Sequence, residues 1–515
     1  MLKKILTLAL VGLMPLGAWA QLESELPVQK LSIDSMLLDM SRLTSRDFAG
    51  RGTGHEGYTR AAEMVAGKLA ELGFESFEDA GRDPDQNPFF LSVPYKGERL
   101  MDASLKLGNK NYSMGKDFYP GSSLPKSEVS IESLVFVGFG QDSPHYSDFK
   151  ADDIKGKWVI AMPGKIDSTG KWQVAEIRQQ YRSLSQKGAA GVILVSANYN
   201  KEVGSVLERF KSERVSLVET VDEIGETIRT STPLLVMSPK AAQRIFKQMH
   251  LKANKEREKR IKAMGGAAVV AKISGGLQIN QGTRFFNAPN VMGYIRGEEK
   301  PEEYVLLSAH LDHLGDHDGV IYYGADDNGS GSAALLSIAR EISRWGQEGI
   351  RPRRSIAIVW FSGEENGLLG SKWLANHAPM ASDMITTNIN VDMIGRSDNR
   401  HKPEQKYIYV IGADRISQEL HDVGESVNEQ CCRLELDYTY NDPKDPNRYY
   451  FRSDHYNFAK LGIPSVFFFS GVHEDYHRPT DTMDKIDFDR MLYLTEYILY
   501  NSWELANRSQ RLKVK

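Results

Sequence analysis

Tyr304-Val305-Leu306-Leu307-Ser308-Ala309-His310-Leu311-Asp312 is the stretch on which the fold turns. Residues 304–309 form a mostly apolar run of strand length, and a histidine and an aspartate follow at once. Such runs suit strands covered on both faces. Further runs at 356–361, 387–391, 408–411 and 465–469 predict more strands. Helical spacing predicts helices at 330–344, 368–377, 416–427, 454–460 and 489–507 between and after them. This alternation predicts an α/β domain, a sheet with helices on both faces. In such sheets ligands bind beyond the carboxyl ends of the strands.

Upstream the texture differs. A short helix is expected at 37–43 and a longer one at 59–72, where Ala61, Ala62, Val65, Leu69 and Leu72 recur at helical spacing. Residues 84–94 read as a loop. From about 127, short β-type runs at 134–139, 158–162, 192–195 and 234–237 surround an expected helix at 175–187. They predict a small β-rich domain. Residues 240–262 read as one helix whose basic residues form a solvated face.

The polar residues at the strand ends carry the chemistry. His310 and Asp312 close the first strand, Glu364 and Glu365 follow the second, Asp392 ends the third, and His477 follows the last. Asp326-Asp327-Asn328-Gly329 precedes the helix at 330–344. Each has an ordinary explanation alone, since Asp-Asp-Asn-Gly makes a good turn and paired glutamates are common on surfaces. Gathered at the mouths of apolar strands, they cost stability unless they bind something. Histidine nitrogen with carboxylate oxygen and no thiolate suits a catalytic zinc-type site. Two histidines and three carboxylates can hold two ions if one carboxylate bridges.

Over these motifs the chain resembles the co-catalytic dizinc exopeptidases, which include bacterial leucyl aminopeptidases and glutamate carboxypeptidase. The matching stretches are Ser308–Asp312, Gly324–Gly331, Ser362–Glu365, Asn390–Met393 and Asp475–Thr482. The resemblance implies a zinc exopeptidase fold, a mixed sheet flanked by helices on both faces. It implies two Zn2+ per chain, with Asp327 bridging, His310 and Asp392 completing one site, and Glu365 and His477 the other. Glu364 would be the general base and Asp312 would orient His310. Ser453-Asp454-His455 also resembles a family stretch, and Tyr450, three residues before Ser453, is a candidate oxyanion donor. The implied substrates are peptides with a free N-terminus. The alternatives are a carboxypeptidase on the same site, a glutaminyl cyclase, and a non-catalytic receptor-like binding protein. Residues 21–126 and 275–515 are expected to form the catalytic domain. Residues 127–274 resemble an inserted protease-associated domain that supplies no ligands.

Composition agrees with this class. The chain has 515 residues, enough for several domains, with 64 basic against 68 acidic residues, so no strong basic field invites nucleic acid. Lys3, Lys4, the apolar run that follows and Ala18-Trp19-Ala20 predict a signal peptide at 1–20, hence a periplasmic or extracellular protein without stable membrane insertion. The two cysteines, Cys431 and Cys432, are adjacent, and a ring closed between neighbours is strained, so no disulfide is expected.

Overall fold

The strands that carry the site are β1 (Phe90–Leu107), β2 (Gly275–Ile295), β3 (Lys300–His310), β4 (Arg354–Phe361), β5 (Ile385–Val391), β6 (Tyr407–Ile411), β7 (Glu435–Asp437) and β8 (Ser465–Phe469). They neighbour one another in the order β1-β2-β4-β3-β5-β8-β6-β7. Strands β4, β3, β5 and β8 run parallel, while β2 and β6 flank that block antiparallel. The sheet is therefore mixed, and its parallel strands all end at one edge. In this computed structural model the described residues are 22–77, 86–125, 128–149, 154–218 and 232–515. The leader expected at 1–20 lies outside them.

The apolar runs become strands because both faces are covered. Leu306, Ala357, Val359 and Phe361 pack with Leu374 of helix Leu369–His377 and Phe458 of helix His455–Ala459. Val305 and Leu307 are fully buried too, and strand alternation turns them to the opposite face. There the helices Gly331–Gln347 and Phe488–Asn507 lie against β3 and β4. Truncating one such leucine to alanine typically costs about 2–5 kcal/mol. No described helix is long and apolar enough to cross a membrane.

The chain divides into two compact units, one made by the chain up to Tyr95 and from Phe286 on, the other Lys96–Phe285. The second unit thus reaches further at both ends than the expected 127–274. Its sheet runs Val269–Ala271, Leu134–Phe136, Trp158–Ile160, Gly191–Val195, Leu234–Met237, Phe118–Pro120. It has apolar clusters of its own, and helices such as Ile177–Gln186 and Pro239–Gln248 accompany the strands.

Three local expectations are corrected. Residues 84–94 are not all loop, because Leu91, Val93 and Tyr95 alternate inward and Phe90 already begins β1. Residues 240–262 form two helices, Pro239–Gln248 and Ala253–Ala263. His250 takes a left-handed φ of 57° while Leu251 N–H bonds back to Phe246 O, which closes the first helix. Cys431 and Cys432 are joined by a disulfide. Cys431 is the last residue of helix Gln418–Cys431, Cys432 leaves helical geometry, and Arg433 is left-handed. Neighbouring sulfurs meet at this irregular helix end, a freedom that sequence adjacency alone does not reveal.

Candidate metal centre and active-site cleft

Strand register brings the first ligand candidates together. Ser308 pairs with Asn390 in the parallel ladder, so two residues on His310 and Asp392 stand side by side at the sheet edge. His310 Nε2 lies 3.3 Å from Asp392 Oδ1 and 3.4 Å from Asp327 Oδ1. The other oxygen of Asp327 faces a second group: His477 Nε2 is 3.1 Å from Asp327 Oδ2 and 3.1 Å from Glu365 Oε2. Oxygen and nitrogen ligands about 2.0–2.2 Å from a tetrahedral zinc stand about 3.3–3.6 Å from one another. The observed separations are near that spacing. Asp327 Oδ2 is buried and accepts no hydrogen bond despite its closeness to His477. The pair stands at a spacing that two ligands of a common cation would have. These residues fit a divalent cation of the zinc class.

The turn that presents Asp327 is built around its neighbours. Asp326 is fully buried and points elsewhere: Oδ1 accepts from Gly395 N at 2.7 Å and Ser330 Oγ at 2.9 Å, and Oδ2 lies 3.2 Å from His473 Nε2. The Asp481 carboxylate accepts the backbone N–H groups of Asp326 and Asp327. Gly324 has φ 56°, and a Cβ there would meet Asp327 O at 2.2 Å and the His313 ring at 2.4 Å, so only glycine lets this turn close.

Support comes from further groups, His313 and Arg51 among them, that sequence reading missed. His313 Nδ1 is 2.7 Å from Glu365 Oε1, a hydrogen-bond distance shorter than ligand spacing, so His313 braces Glu365 although it could itself join Asp327 and Glu365 about a metal. Its place three residues after His310 was the available signal. Ser453 Oγ donates to Asp392 Oδ2 at 2.7 Å. Arg51 is fully buried and donates to the carbonyls of Leu311, Leu43, Tyr323 and Gly324. Burial lowers its pKa to about 10, against the opposing pull of Asp327, Asp481, Asp312 and Glu365.

Asp312 acts differently from the expectation. Its backbone carbonyl, not its carboxylate, lies 3.0 Å from His310 Nδ1; the carboxylate is 4.0 Å away. That carboxylate accepts from Thr53 Oγ1 at 2.7 Å and from Glu364 N at 3.1 Å, and so fixes the glutamate loop. Tyr450 is not brought to the cleft. It packs beneath Arg415, whose guanidinium lies 4.6 Å from its ring, and against His455. Tyr449 and Tyr476 line the cleft instead, with His310, Asp327, Glu364, Asp392, Met393, Arg452, Phe467, Phe469, Val472 and His477. A wider groove at Leu37, Tyr323 and Phe488 contains none of the metal-ligand candidates.

The two glutamates sit in opposed environments. Burial, reinforced by repulsion from Glu365, pushes Glu364 well above the carboxylate range. Burial and Asp327 push Glu365 up as well, but hydrogen bonds from His313 and His477 outweigh them and hold it below its ordinary value. Burial opposes the charge on His477, yet Asp327 and Glu365 raise its pKa to about 10. Glu364 Oε2 lies 4.0 Å from His310 Nε2, further than Asp392 does, although it could join His310 and Asp392 about a cation.

The profile of Peptidase family M28 matches residues 290–502. Over this stretch the chain is similar to that family. The stretch contains His310, Asp312, Asp327, Glu364, Glu365, Asp392, Tyr450 and His477. A probable glutamate carboxypeptidase from Zea mays is 33% identical over 149 residues, 26% of this chain and 20% of that protein. A probable leucine aminopeptidase from Arthroderma otae is 30% identical over 226 residues, 42% of this chain and 58% of that protein. The chain thus spans less than two thirds of either relative. An aminopeptidase from Aneurinibacillus sp. strain AM-1 shares the fold, with 18% identity, TM-score 0.52, and coverage of 94% of this chain and 96% of that one. A zinc aminopeptidase from Bacillus subtilis matches with 17% identity, TM-score 0.50, and coverage of 95% and 97%. The matched segment therefore stands within a fold that solved aminopeptidases share.

Proposed function

We propose that this protein is an exported zinc aminopeptidase that removes the N-terminal residue of peptides. The observation that carries the reading is the division of Asp327: one oxygen faces His310 and Asp392, the other His477 and Glu365. The two groups would each hold one zinc ion, with Asp327 shared. Bound there, the ions would acidify a water and polarise the scissile carbonyl. Glu364 accepts the proton of the attacking water and returns it to the leaving amine. Its raised proton affinity suits a group that must hold that proton between the two transfers. Glu365 is held in its ionised form beside His313, which bonds to it at 2.7 Å, and His477. Tyr449 and Tyr476 line the cleft and offer hydroxyl donors for the developing oxyanion.

Cleavage at the N-terminus is favoured by charge. More acids than arginines or lysines line the cleft, a field that suits a substrate ammonium. A carboxypeptidase needs a positive fork for the terminal carboxylate; Arg396 pairs with Asp475 at 2.7 Å and Glu474 at 3.2 Å, which leaves Arg452 as the single guanidinium among the described residues that line the cleft. The leader-like sequence at 1–20 supports export. The test is a panel of aminoacyl reporters with purified protein, with and without chelator, beside metal analysis. Chelator-sensitive turnover with about two zinc ions per chain is expected; turnover by metal-free protein refutes the reading.

A further inference from the structure

Three arginines flank the site motifs: Arg396, Arg452 and Arg478. Arg396 is taken up by its acidic partners, and Arg478 does not line the cleft. Arg452 does line it, and among the described residues no carboxylate pairs with its guanidinium. Yet this side chain is held in place. The guanidinium lies 4.9 Å from the centre of the Tyr449 ring, and its Nη2 donates to Tyr476 Oη at 3.4 Å. The Tyr476 ring in turn stacks on His477, with centroids 3.9 Å apart. A cation is thereby positioned one aromatic ring from a metal-ligand candidate, in a cleft whose other charged groups are anionic apart from the histidines.

We propose that Arg452 is a specificity-determining residue that binds a substrate carboxylate just beyond the scissile bond, so that dipeptides are favoured substrates. The inference rests on the aminopeptidase reading and narrows its substrate class. Acids near the metal-ligand candidates suit the ammonium end. The terminal carboxylate of a dipeptide follows the scissile carbonyl by one residue, about 3.8 Å of chain. A planar guanidinium already stacked on one tyrosine ring and bonded to the hydroxyl of another loses little freedom when it engages a carboxylate through two N–H groups. An acidic side chain on the second residue offers the same chemistry, and the substrates below distinguish the two sources.

The experiment compares Leu-Gly, Leu-Gly-amide and Leu-Glu-amide on the zinc-loaded full chain. Wild-type kcat/KM should favour Leu-Gly over Leu-Gly-amide by about tenfold, the scale of one charge-assisted hydrogen-bonded pair. In Arg452→Ala that ratio should fall towards one, and Arg452→Lys should restore part of it. If Leu-Glu-amide is favoured instead, the carboxylate bound is the side chain's. Equal kcat/KM for all three in the wild type, or an unchanged ratio in Arg452→Ala, overturns the proposal. Calorimetry supplies a readout without turnover: zinc-loaded Glu364→Gln should bind Leu-Gly about tenfold more tightly than its amide, and Glu364→Gln/Arg452→Ala should not. Failure of wild type to cleave any of the three refutes the aminopeptidase reading, whereas these binding ratios still decide the role of Arg452.

Discussion

Replacing Glu364 with glutamine tests the division of labour between two adjacent acids. Glu364 Oε2 is 4.0 Å from His310 Nε2, whereas Glu365 Oε2 is 3.1 Å from His477 Nε2. The first distance exceeds the spacing of two ligands on one zinc and the second does not. Glu364→Gln should therefore keep its metal and fold. Loss of a general base costs about 10²–10⁴ in rate, which is about 2.7–5.5 kcal/mol on the barrier. Glu365→Gln loses a charged ligand that His313 also braces at 2.7 Å, so zinc occupancy at that site should fall. The assay is kcat on an aminoacyl reporter, paired with zinc per chain after dialysis. The pH profile adds a sign. Burial raises the Glu364 pKa, and a base works only when deprotonated, so wild-type activity should fall on the acid side. That limb should be missing from the residual activity of Glu364→Gln. Equal zinc loss and equal residual rate in the two variants would refute the reasoning.

Other tests follow from the same structure. His310→Ala and His477→Ala should each lose zinc as well as activity by metal analysis; retention of two ions in either removes that residue from the ligand set. An unblocked peptide should release its first residue and the N-acetylated form should not, read by mass spectrometry; C-terminal trimming of the acetylated peptide would point to a carboxypeptidase. His455 is buried against Phe467, with ring centroids 5.1 Å apart, and burial lowers its pKa to about 3. The unfolded chain takes up that proton near pH 6.5, so stability falls as pH drops from about 6.5 to about 3. His455→Phe should flatten part of this loss in denaturant melts, and an unchanged slope refutes the assignment. Arg51→Met should cost about 3–5 kcal/mol in the same melts, because it removes a buried cation from four carbonyls.

The parallel strands were legible because nothing competes with their apolar runs. β8 begins and ends at the expected residues, and β5 and β6 begin within two residues of the expectation. β1 and β2 escaped because they are long and only partly buried. Glycine, asparagine and proline interrupt β2, and Pro94 made the start of β1 read as loop. The site candidates could be proposed because His310, Glu364, Glu365, Asp392 and His477 come after strands and Asp327 comes just before a helix. Tyr449 and Tyr450 could not be told apart, since both are aromatic and only the path of the chain before Ser453 decides which faces the cleft. Arg51 and Thr53 were beyond reach because the bonds that tie them to the site, to Leu311 and Asp312, span more than 250 positions. Pairings at that distance leave no local pattern.

That separation sets an order of events during synthesis. Arg51 and Thr53 leave the ribosome long before Leu311 and Asp312, and His477 emerges later still. The contacts that brace the centre cannot form until the unit Lys96–Phe285 has been made between their halves. At about 5–20 residues per second, the wait from Thr53 to His477 is some twenty to eighty seconds. A nascent chain halted anywhere before His477 therefore lacks at least one of the proposed ligands.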